Sequence, residues 1–169
     1  MERGSTARRR ALLGIAARLA CLSGAALAAP QPTAKIDKIT IRLVYTTSGT
    51  LSQDIADPAG FGGWNTIIGG GDAKEPADDL LVQVHLKMDR DEGNLAQPVT
   101  VEVTGDRAGN SDKPGRLARH ECNGIFFRKG QSVCTLIVRA AACSGKITVR
   151  AAIGRTERKS AGVTLGCGE

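Results

Sequence analysis

From Ile36 onward apolar and polar residues take turns, and that two-residue beat restricts this chain more than any motif in it. A strand turns successive side chains to opposite faces, so alternation marks a strand with one face in a core and one in water. In "IDKITIRLVY", residues 36–45, Ile39, Ile41, Leu43 and Tyr45 share one face, and Lys38, Thr40 and Arg42 the other. "LLVQVHLKM" repeats the device from Leu80, with Val82, Val84, Leu86 and Met88 inward and Gln83, His85 and Lys87 outward. "VTVEVTG" does the same with Val99, Val101 and Val103, and "KITVRAAI" with Ile147, Val149, Ala151 and Ile153.

Between these runs Gly, Pro, Asn and Asp recur about every ten residues, the punctuation of turns. "RLARHECNGIFF" reads as a less regular strand interrupted at Asn123-Gly124. "SVCTLIVRAAAC" is apolar enough for a central strand, "GRTERKSAG" reads as a polar turn, and "VTLGC" as a last strand. No stretch after the leader repeats apolar residues at helical spacing. Seven or eight short strands predict an all-β, antiparallel β-sandwich filled by Val, Ile and Leu. As architecture this resembles the immunoglobulin-like sandwiches. Trp64 does not lie between cysteines, so the antibody-domain signature is missing and the resemblance implies no activity.

Residues 1–29 read as a cleaved signal helix: Arg8, Arg9 and Arg10 precede an Ala/Leu/Gly-rich run that closes on Ala26-Leu27-Ala28. Arg18 splits that run into pieces well short of the ~20 residues a spanning helix needs. Arg9-Arg10-Ala11-Leu12-Leu13 partly matches a twin-arginine signal, and Cys21 a lipoprotein acylation site with Arg18 in the leucine-like place. The expectation is a single exported domain over 30–169, periplasmic or secreted, with no membrane span once the leader is removed. The first 28 residues hold five arginines and one glutamate, so the chain's +6 falls to +2 for the remainder. Nucleic-acid binding wants a concentrated basic face, and is not expected.

Cys122, Cys134, Cys143 and Cys167 remain after the leader, an even set that in an exported domain points to two disulfides. If the last two strands form a hairpin near Arg155, Cys143 and Cys167 come opposite each other. Cys122 is then left to pair with Cys134 across a bent hairpin.

The densest candidate site is "GFGGWNTIIGGGDAKEP", Gly60 to Pro76, with six glycines and the one tryptophan. Asn65 stands where a dinucleotide fingerprint needs its third glycine, and Gly69-Gly70-Gly71 lacks P-loop spacing, so no cofactor is expected. The glycines fit bends and close backbone approach, with Trp64, Ile67 and Ile68 pinning a long connection onto the core. The alternative exposes Phe61 or Trp64 as a stacking platform for a sugar or peptide. Phe126 and Phe127, adjacent in a strand, must send one ring inward and one outward, the outward ring being a contact candidate.

Catalytic and metal readings find less support. His85 faces outward, and His120 shares a strand face with Cys122, but an oxidised Cys122 leaves no nucleophile. The histidines are 35 positions apart and the cysteines lack zinc-site pairing, so no metal is expected. "DRDEGN", Asp89–Asn94, reads as a solvated hairpin turn: against the EF-hand order its glycine comes one place early and Thr100 replaces the bidentate glutamate. Nucleophile elbows are absent. The pattern favours an exported, non-enzymatic accessory or adhesion-type domain that binds a protein or envelope glycan through Phe61, Trp64 and Phe126 or Phe127. The alternatives are an extracytoplasmic enzyme or metal-binding protein using His85 and His120, and a structural subunit assembled through sheet edges.

Overall fold

A computed structural model describes residues 33–57, 60–107 and 113–166. Ten strands are present among them: β1 (Ala34–Tyr45), β2 (Gly63–Trp64), β3 (Ala77–Met88), β4 (Glu92–Asn94), β5 (Val99–Gly105), β6 (Gly115–Cys122), β7 (Phe126–Arg128), β8 (Gln131–Val138), β9 (Gly145–Ile153) and β10 (Glu157–Gly166). They form two five-stranded sheets, ordered β1-β3-β8-β7-β4 and β2-β10-β9-β5-β6. Every pairing is antiparallel except the short parallel one of β2 with β10. The two sheets share one core, a β-sandwich arrangement with almost no helix.

The alternating residues do what their period requires. Ile41, Leu43, Leu80, Val82, Val84 and Leu86 of the first sheet meet Val99, Val101, Val103, Ile147, Val149, Val163 and Leu165 of the second, all buried. Each such side chain taken from water stabilises the fold by about 1.5–3 kcal/mol before entropy is counted. A register shift between Ile36 and Lys38 adds one residue to β1 and resets its phase, so that Ile36 and Ile39 both turn inward.

Three sequence expectations change. "GRTERKSAG" is mostly strand: β10 starts at Glu157, which pairs with Ile153, leaving residues 154–156 as the turn. Its first residues are polar because they face solvent. "DRDEGN" is not a simple hairpin turn, since Glu92–Asn94 forms β4 and pairs with β7. "RLARHECNGIFF" divides at Asn123-Gly124 into β6 and β7, which belong to opposite sheets, and Gly124 makes that crossing at φ 62°. "SVCTLIVRAAAC" does supply a central strand, β8, the middle one of its sheet, with Val133 and Ile137 on its outer side at 44% and 53% exposure.

The covalent framework includes Cys122–Cys134, whose Cα atoms lie 6.0 Å apart and which joins β6 of one sheet to β8 of the other. It is a bridge between sheets, not across a single bent hairpin. The hairpin nearby is the tight β7–β8 turn at Lys129-Gly130, with φ of 53° and 67°, the left-handed pair that a primed turn requires. Cys143 is also disulfide-bonded, to a partner outside the described residues. Cys167, the proposed leader and its cleavage site lie outside them as well. No helix among the described residues is long and apolar enough to cross a membrane, which says nothing of strands.

Candidate functional site

The glycine-rich segment packs against itself. Gly62 donates its N–H to Asp72 Oδ2 at 2.8 Å, and Asp72 returns its own N–H to the Gly62 carbonyl at 3.2 Å. A β-carbon at Gly71 would overlap the Gly62 carbonyl oxygen and press the Trp64 ring, while one at Gly63 would overlap the Phe61 ring. Close backbone approach is therefore what these glycines permit.

Trp64 does not pin the connection to the core. In the two-residue β2, Gly63 takes the inward place beside Leu165, and Trp64, the next residue, points outward with 54% of its surface exposed. The following 3-10 turn, Thr66–Ile68, buries Thr66 and leaves Ile67 and Ile68 exposed at 49% and 69%. Three large apolar side chains thus reach solvent within five consecutive residues. Their backbone is held at both ends: the Asn65 N–H donates to the Gly166 carbonyl of β10 at 2.7 Å, and the Gly69 N–H to the Thr66 carbonyl at 3.1 Å. Period-two reasoning could not find Ile67 and Ile68, because a 3-10 turn has a different repeat.

The other contact candidates divide. Phe61 is half-buried at the rim of a notch of about 120 Å³ that Tyr45, Leu51, Asp72 and Lys74 also line. Phe126 is 53% exposed, whereas Phe127 is fully buried and fills the core, so any contact from this pair falls to Phe126.

His85 and His120 are not brought together. His85 lies on the outer face of the first sheet, paired in register with Lys38 on β1 and Val133 on β8. Its Nε2 is 3.3 Å from Thr40 Oγ1. Burial first, then the nearby Lys38 and Arg42 charges, lowers its pKa below the usual histidine value. His120 is exposed on β6 of the second sheet. One of its ring nitrogens and the sulfurs of Cys122 and Cys134 all lie within 4.8 Å of one another. Because Cys122 is oxidised, it holds no thiol for His120 to activate.

No protein-family profile matches the chain. No curated protein matches it in sequence. Among solved structures it is similar to part of a beta-glucosidase from Listeria innocua in complex with isofagomine, at 16% identity and a TM-score of 0.36. The same enzyme in complex with glucose gives 18% identity and a TM-score of 0.35. In both cases the match covers 53% of this chain and 14% of the other.

Proposed function

We propose that this chain is an exported, non-enzymatic β-sandwich of immunoglobulin-like kind that docks a protein partner through the surface around Trp64. The observation that carries the reading is the exposure of Trp64, Ile67 and Ile68 on a backbone held by strand pairing and glycine packing. Contiguous exposed apolar surface marks contact sites, and tryptophan is the residue most enriched among those that dominate binding. Two isoleucines beside the indole suit a protein surface better than a sugar, which needs polar partners around the stacked ring. The sulfur bridges support an oxidising compartment, and a signal peptide at residues 1–29 provides the route.

The test is capture from envelope extracts by purified protein beside a Trp64→Ala variant. A protein retained by the parent and held at least about 30-fold more weakly by the variant supports the reading, the scale expected of a dominant contact residue. A partner held equally by both sinks the Trp64 contact. Retention of polysaccharide in place of protein transfers the site to an envelope glycan.

A further inference from the structure

We propose that Cys122 and Cys134, once reduced, form with His120 a binding site for a thiophilic d10 cation of the zinc type. This inference is independent of the Trp64 surface. Three atoms of the right chemistry already converge, with the two sulfurs and an imidazole nitrogen within 4.8 Å of one another. A tetrahedral zinc with Zn–S of about 2.3 Å and Zn–N of about 2.0 Å sets such ligands roughly 3.5–3.8 Å apart. Side-chain rotation alone can meet that spacing, because the two cysteine Cα atoms are 6.0 Å apart on separate strands.

The fold explains the convergence. His120 and Cys122 are two residues apart on β6, hence on the same side, opposite Val101 and Val99 in register. β6 is the last strand of its sheet, so His120 remains open to solvent on that side. Cys134 comes from β8 of the other sheet and is 1% exposed, while Cys122 is half-buried and offers the accessible sulfur. Two thiolates and an imidazole leave a fourth position for water or an incoming ligand, the composition of an open site rather than a closed structural one.

The step balances with a dithiol as reductant. The dithiol supplies two electrons and closes to its own disulfide, and its two protons pass to the sulfurs of Cys122 and Cys134. On binding, the cation displaces those protons and accepts an electron pair from each thiolate and one from the imidazole nitrogen. In the oxidised state the sulfurs are engaged with each other, and the site is closed to the ion.

Zinc titration of the full chain, followed by calorimetry before and after reduction by a dithiol that is then removed anaerobically, tests this. A Cys143→Ser variant treated in parallel excludes the second sulfur bridge as the source of binding. The expected result is one zinc bound by reduced parent and by reduced Cys143→Ser, none by oxidised protein, and none by reduced Cys122→Ser. His120→Ala should weaken the reduced site at least about tenfold, the scale on which even an outer-shell partner acts. With cobalt as the probe, a thiolate charge-transfer band should appear in the parent and vanish in Cys122→Ser. Equal zinc binding by reduced parent and Cys122→Ser, or unchanged affinity in His120→Ala, overturns the proposal. Should reduction unfold the protein, recovery of its circular dichroism on adding zinc supports the site, and failure to recover overturns it.

Discussion

Along the seam where β1 meets β10, many polar links join the two sheets, each weak; along the opposite seam, where β6 meets β8, the described residues include a covalent link, Cys122–Cys134. At the first seam the free edge of β1 is covered by residues 51–57. Ser52 exchanges hydrogen bonds with Leu43, its Oγ accepting from the Leu43 N–H at 2.9 Å and its N–H donating to the Leu43 carbonyl at 3.0 Å. Asp54 Oδ1 accepts the Ile41 N–H at 3.0 Å, and the Ile55 N–H donates to the Ile41 carbonyl at 2.8 Å. The Asp57 N–H reaches the Gly162 carbonyl of β10 at 2.8 Å, Glu157 Oε1 accepts the Ile36 N–H at 3.0 Å, and Lys159 donates to the Asp37 carbonyl. At the second seam, Arg128 with Gln131 is the register pair that joins β7 to β8 among the described residues, so beyond it β8 has a strand neighbour only on its β3 side. The difference teaches that an edge can be closed by satisfying its backbone locally or by tying down what lies beneath it.

The contrast makes a graded set of predictions. Replacing Cys122 and Cys134 together by alanine should cost about 3 kcal/mol, because the bridge closes a short loop with a sequence separation of 12. Urea unfolding would show it as a lower midpoint, and an unchanged midpoint would mean that the covalent seam contributes nothing. Asp54→Ala should cost less, about 1–2 kcal/mol, by leaving the buried Ile41 N–H without its acceptor. A loss as large as that of the cysteine pair would reverse the proposed ranking of the seams.

The smallest effect lies at His85, on the outer face of the first sheet, in β3 beside the seam strand β1. Its folded pKa is lowered, so the unfolded chain takes up the proton first as pH falls through 6.5. Stability contributed by neutral His85 is therefore whole above 6.5 and is lost on acidification toward the lower folded value. His85→Gln should flatten the fall in unfolding free energy between pH 7 and 5, read from urea midpoints across that range. An identical slope in parent and variant would remove His85 from the account.

The long strands were legible because each presents enough alternations to reveal a buried face. Val82, Val84 and Leu86, or Val99, Val101 and Val103, can only be read one way. β2, β4 and β7 have two or three residues each, too few for any period, and they exist because neighbouring strands offer them backbone partners. The same brevity hid the direction of Trp64, which is set by the register of Gly63 on Leu165 rather than by anything in the glycine run. The Cys122–Cys134 pairing was legible by elimination, but its span was not, since the crossing of sheets at Asn123-Gly124 depends on where β7 finds its partner. Nothing in the spacing of His120 to Cys134 announces their approach, which arises only when the two sheets stack.

β1 and β10 run in the same direction along their seam, Ile36 lying by Glu157, and the segment bound to Ile41 lying by Gly162. Tension applied between Ala34 and Gly166 would draw these strands lengthwise past each other, so their cross-links would be strained together instead of parting one at a time like the teeth of a zip. The many-membered seam, weaker link by link, is thus the one oriented to resist stretching.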